Sequence, residues 1–131
     1  MATNLIQHIE WSSRQSEKLQ AFYGRVFDWQ FSDEMPGYTI IKGVGGIFPI
    51  TDVRMPVGIT PYVNVASLKK TEALIRKAGG RIIQSNQPVP GRGHFSLFTD
   101  IDGNLMAIWQ AEKARPKKPK ARAKAVMPRR R

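Results

Sequence analysis

The chain has 131 residues, a formal net charge of +11 and no cysteine. That length fits one ordinary domain with enough apolar residues for a core. The absence of thiols excludes a disulfide framework and any thiolate-bound zinc or iron–sulfur centre. The charge is lopsided: up to Gln110 there are 11 Lys and Arg against 9 Asp and Glu, whereas Ala111 to Arg131 carry ten basic side chains against Glu112 alone.

Asn4 to Ser12 alternates apolar and polar residues around Leu5, Ile9 and Trp11, which predicts a half-buried strand ended by Ser12-Ser13. From Gln15 to about Phe27, Leu19, Phe22, Tyr23 and Val26 fall at i, i+3, i+4 and i+7, the apolar stripe of a helix that stops at Asp28. Trp29–Phe31, Tyr38–Lys42 and Ile47–Ile50 read as short strands, separated by Pro36-Gly37 and by a glycine-rich loop over Gly43–Gly46. After a loop containing Pro56 and Gly58, the order repeats. Thr60–Val65 is strand-like, and Ser67–Ala78 is an amphipathic helix with Leu68, Thr71, Leu74 and Ile75 inward, ended by Gly79-Gly80. Arg81–Gln84, His94–Thr99 and Leu105–Gln110 supply three more strands, with a Pro88–Gly93 loop and an Asp102-Gly103 turn between them.

Each half is thus βαβββ, an α+β domain over residues 1–110. Sliding one half along the other by about 52 residues brings His8 onto Thr60, Phe22-Tyr23 onto Leu74-Ile75 and Phe31 onto Ile83, a repeat of architecture at low identity. Residues 111–131 contain three prolines and almost no apolar bulk, so they are expected to form a disordered basic tail. No stretch approaches the roughly 20 apolar residues of a membrane span, and Met1–Trp11 has no targeting pattern, so a cytoplasmic protein without membrane contact is expected.

Three segments together, HIEWSSRQSEKLQAFYGRVFDWQF, TPYVNVASLKKTEALIRKAGGRII and GRGHFSLFTDIDGNLMAIWQ, resemble the vicinal-oxygen-chelate superfamily of glyoxalase I, bleomycin resistance proteins and extradiol dioxygenases. The resemblance covers nearly all of Asn4–Gln110. It implies two βαβββ modules, each rolling its sheet into a half-barrel, around a cavity that holds a ligand or metal. In metal-dependent members four ligands come from the first and last strands of the two modules. His8 fills the first position. The others fall on Thr60, on Ala107 and on a stretch from Gly45 to Ile50 with only Gly, Ile, Phe and Pro, so the four-ligand centre is not expected. A divalent metal on a rearranged set of His8, Glu10 and His94 stays open.

Alternation puts Glu10 on the face of His8, and Thr60, Tyr62, Asn64, Ala107, Trp109, Phe48 and His94 are expected around the same presumed pocket. Gly43–Gly46 is no phosphate cradle, because it joins strand to strand and lacks a following helix. The expected function is binding of a small organic molecule without the family's metal centre. Two alternatives stay open: a lyase, isomerase or dioxygenase with a divergent metal site, and a tail that tethers the domain to nucleic acid or another polyanion through backbone electrostatics. The resemblance also leaves open a dimer with ligands held across it.

Overall fold

The alternating segment around His8 and Glu10 forms β1 (Ile6–Ser13), and Ser13 Oγ accepts from the Gln15 N–H as the chain turns into α1 (Ser16–Phe27). The structure, a computed structural model, describes residues 3–113. Asp28 ends α1 in the left-handed region at φ 59°, its N–H on the Gly24 carbonyl, a conformation that Asp tolerates better than most residues. β2 (Phe31–Met35), β3 (Tyr38–Ile41) and β4 (Gly45–Pro49) complete the first module. The second repeats it as β5 (Gly58–Asn64), α2 (Leu68–Lys77), β6 (Arg81–Val89), β7 (Gly93–Thr99) and β8 (Leu105–Ala111). The Ser67 side chain caps α2 by accepting from the Lys70 N–H. In the D-x-D-G-N turn, the Asp100 carboxylate accepts from the backbone of Asp102 and Asn104, and Gly103 takes φ +89°.

All eight strands join one mixed sheet in the order β2-β3-β4-β1-β5-β8-β7-β6. In each module the last strand runs parallel to the first, and the modules meet along the antiparallel pair β1–β5. There Ile9 faces Pro61, His8 faces Tyr62 and Glu10 faces Thr60. The 52-residue offset that separates Glu10 from Tyr62 also carries Ile9 onto Pro61, its own cross-strand partner, and His8 onto Thr60. A local two-fold therefore passes through the Ile9–Pro61 pair, and the repeat read from the sequence is the symmetry of the sheet.

Both helices cover one face of the sheet. Under α1 lie the buried Ile41 and Ile47, and Gln20 donates to Thr39 at 3.2 Å. Under α2, Val65, Leu68 and Ile108 pack with Val63, Ile75 and Phe98. Glu72, which the 52-residue offset matches to Gln20, is buried and accepts from Ser85 and from the fully buried Ser96.

Several expectations need correction. The second strand lies at Phe31–Met35 rather than Trp29–Phe31, because Trp29 stacks on Tyr23 with ring centroids 5.1 Å apart. Gly45 and Gly46 belong to β4, not to a loop. β6 runs on to Val89 and includes Pro88, which an edge strand with register shifts accommodates. Leu74 is 66% exposed, and Glu72 takes the sheet-facing place on α2; Phe22 and Val26 on α1 are likewise exposed. β8 extends one residue past Gln110, and the tail expected to be disordered lies, from residue 114 on, outside the described residues. Among the described residues no helix is long and apolar enough to cross a membrane.

Candidate functional site

The face of the sheet that the helices leave uncovered carries the site. Side chains two apart on a strand share a face, so His8 and Glu10 from β1 project there with Thr60, Tyr62 and Asn64 from β5. Trp11, between them in parity, points the other way and donates its indole N–H to Tyr23 on α1 at 3.1 Å.

Gly46 makes the centre of the site possible. It pairs with Glu10 on β1 and with Ile40 on β3, and the Tyr38 ring lies across it so closely that a β-carbon would collide with the phenol. Tyr38 thereby reaches over one strand, and its hydroxyl stands 2.7 Å from His8 Nε2. The same hydroxyl also lies near enough to Glu10 to favour its ionised form. From the other module, Tyr62 donates to Glu10 Oε2 at 3.2 Å. His8, Tyr38, Glu10 and Tyr62 thus form one chain of proton-bearing groups across the seam. Because Tyr38 has a single proton, it can serve His8 or Glu10 but not both. When it donates to the carboxylate, His8 must present an Nε2–H; when it donates to His8, the other tautomer is required.

Burial sets the charges. Desolvation lowers the His8 pKa below its ordinary 6.5, so the ring is neutral at neutral pH. Desolvation raises Glu10, partly opposed by hydrogen bonds from Tyr62 and Tyr38. Both phenols are pushed up, first by burial and then by the neighbouring Glu10 charge, so they stay protonated.

Eight of the nine residues expected to line the pocket lie on this face: His8, Glu10, Phe48, Thr60, Tyr62, Asn64, Ala107 and Trp109. Asn64 is buried and its side-chain amide donates to the side-chain Oε1 of Gln7. Ala107 is fully buried beside Tyr62, and Phe48 lies toward the rim at 43% exposure. His94 is the exception. It alternates with Phe95 and shares the face of Ser96, which bonds Glu72 of α2, so it is exposed on the opposite side and cannot join His8 and Glu10.

Sequence reasoning missed Tyr38 and Phe95. Phe95 sits beside Trp109 in register, its ring centroid 6.1 Å from that of Tyr62. Strand alternation could have placed Phe95. Tyr38 needed the long-range register, and the one local signal was the glycine at 46.

The residues do not fit the four-ligand metal centre that the fold suggests. The pairings Glu10–Gly46 and Tyr62–Ala107 make Gly46 the module-one counterpart of Ala107, and the place in front of it is taken by the Tyr38 phenol. Among the described residues no group of three His, Cys, Asp or Glu comes together. On the opposite face, a groove of about 560 Å³ runs between the start of α1 and β5, lined by Trp11, Leu19, Tyr23, Val57 and Ile59 with Arg14 at its edge. Arg14 is already engaged with the Val53 and Met55 carbonyls.

No family model matches the chain, and comparison with curated proteins finds no match. Solved structures do match. A glyoxalase/bleomycin resistance protein/dioxygenase superfamily member from Vibrio splendidus 12B01 aligns at 16% identity and TM-score 0.55, over 79% of this chain and 96% of its own. The Mn(II)-bound glyoxalase of Novosphingobium aromaticivorans aligns at 17% identity and TM-score 0.61, over 88% of this chain and 42% of its own. The 2,2',3-trihydroxybiphenyl 1,2-dioxygenase of Sphingomonas wittichii strain RW1 aligns at 13% identity and TM-score 0.58, over 90% of this chain and 44% of its own. The latter two are more than twice as long as the matched region. At these identities the likeness is one of fold: two βαβββ modules in the arrangement of vicinal-oxygen-chelate proteins.

Proposed function

We propose that this vicinal-oxygen-chelate fold binds a small organic molecule on the helix-free face of its sheet, over the seam between the modules and without the four-ligand metal centre. The observation that carries the reading is the convergence of His8, Tyr38, Glu10 and Tyr62 from three strands onto one uncovered patch. A few convergent polar groups set among aromatic walls are what small-ligand sites present. The test is native mass spectrometry of freshly purified protein beside Tyr62→Ala, followed by a thermal-shift screen of small molecules. A retained or recruited ligand that the variant loses supports the reading. A bare chain that no compound stabilises, or one whose ligand binds Tyr62→Ala equally well, overturns it.

The proton chain favours a second reading, an acid–base lyase or isomerase working on the bound molecule. A carboxyl raised by burial above its ordinary value, beside a neutral imidazole, can take and return a proton at a substrate carbon next to a carbonyl. Solvent deuterium incorporation into an identified ligand, lost in Glu10→Gln while binding persists, would support catalysis.

A further inference from the structure

Glu10 is an unusual residue for its place. Of the six inner strands β3, β4, β1, β5, β8 and β7, it is the only Asp, Glu, Lys or Arg. It stands half-buried at the middle of the sheet. The ion pairs of the described residues, Arg54–Asp52 and Arg76–Glu72, do not involve it. A carboxylate drawn out of water is ordinarily paired with a cation, because neutral hydrogen bonds return only part of the lost hydration. The protein gives Glu10 the Tyr62 phenol as donor, with the Tyr38 phenol close by and shared with His8, and His8 itself is held neutral by burial.

What surrounds the carboxylate is aromatic. The His8 and Tyr62 rings meet edge to face with centroids 5.3 Å apart, Phe95 continues the wall at 6.1 Å from Tyr62, and Tyr38 lies nearly parallel to His8 at 6.3 Å. The electron-rich faces of such rings attract cations, more strongly where water is excluded, and they accommodate alkylammonium groups that a small metal ion's hydration shell would not allow.

We propose that the ligand of this face is an organic cation, an ammonium or alkylammonium group set against the Tyr38, Tyr62 and Phe95 rings with Glu10 as its counter-charge. The inference rests on the helix-free face being the ligand site. It excludes anions as the preferred class, since a phosphate ester or carboxylate would meet Glu10 with no cation to offset the repulsion. It also gives the raised carboxyl a purpose: a bound cation draws Glu10 back to its ionised form, so binding releases a proton and strengthens as pH rises through the raised Glu10 pKa.

The experiment is calorimetric titration with choline, tetramethylammonium and benzyltrimethylammonium, beside 3,3-dimethylbutan-1-ol, the uncharged isostere of choline. At least one cation should bind, with choline preferred over its isostere about tenfold or more, a ratio worth about 1.4 kcal/mol. Glu10→Gln should bring that ratio near one, with circular dichroism reporting whether the variant is folded. The wild-type protein provides the second measurement, a rise in choline affinity with pH and proton release that scales with buffer ionisation enthalpy. If the isostere binds as well as choline, or if wild-type binding ignores pH, the cation is wrong and the ligand site stands. If neither the cations nor the isostere bind at millimolar concentration, the cation inference is overturned; the ligand-site reading is then decided by retained mass and by Tyr62→Ala.

Discussion

Tyr38 lies flat across Gly46, and the contact is close enough that position 46 has no room for a β-carbon. The polar chain of the site depends on that contact, since a side chain at 46 would lift the phenol off His8 and Glu10. Gly46→Ala should therefore fold, because the colliding atoms belong to the free end of a side chain, at a cost of about 1–3 kcal/mol. The displaced ring should uncover His8 and let its pKa rise toward 6.5. Gly45→Ala should cost more, because there the new carbon meets the Ile9 backbone. Urea unfolding of both variants, with NMR titration of His8 in the first, checks the pair; equal losses would contradict the packing described.

The pH dependence of stability follows from two shifts of opposite sense. Glu10 is raised in the folded protein, so its contribution is full below the unfolded value near 4.5 and is lost as pH climbs through the folded value. Glu10→Gln should accordingly be more stable than wild type at neutral pH, with the difference vanishing in acid. His8 is lowered, so its contribution is full above 6.5 and is lost as pH falls from there through the folded value. His8→Gln should remove that acid sensitivity. Urea midpoints across the pH range for the three proteins decide both, and a Glu10→Gln gain that does not grow with pH would contradict the burial of the carboxyl.

Glu72 fastens α2 to the sheet. Replacing it by Ala strands the fully buried Ser96 hydroxyl without its acceptor, and the expected loss is about 1–3 kcal/mol. Ser96→Ala should cost less, and the double variant less than the sum, because the two residues share one bond. Additive losses in denaturant titrations would mean that the contact contributes nothing.

Deleting residues 114–131 removes nine of the 21 Lys and Arg side chains. The truncated chain should unfold at the same urea concentration as the full one. Any affinity for duplex DNA should collapse, and for the full chain log affinity should fall with log salt at roughly −0.9 per phosphate contacted. Equal binding by both proteins, measured on two unrelated duplexes, would move recognition into the domain.

The sequence made the repeat and much of one sheet face readable for a simple reason. Period-two alternation ties His8 to Glu10 and Thr60 to Tyr62 and Asn64 within single strands, and the turn residues Pro36-Gly37, Gly79-Gly80 and Asp102-Gly103 mark where strands and helices stop. Tyr38 was not readable, because its role depends on the register of β3 against β4 and of β4 against β1, which no local pattern encodes. Two adjacent glycines looked like a loop; they are a strand pressed on both sides. Glu72 is missing from the expected inward set for the related reason that its partners Ser85 and Ser96 lie on two different strands, so no local pattern marks a charged residue there as sheet-facing. His94 was placed by residue type, and strand parity puts it on the wrong side.

The two-fold axis through Ile9 and Pro61 joins halves that no longer do the same work. The first supplies His8, Glu10 and Tyr38, every group that could exchange a proton or balance a charge except one phenol. The second supplies Thr60, Tyr62, Phe95, Ala107 and Trp109, which bound the space in front of them. Such an arrangement lets residues of one half change without disturbing the groups supplied by the other. If this face holds the proposed ligand, exchanges among the wall residues of the second half would change the size it admits while the charge preference, written in the first half, stays as it is.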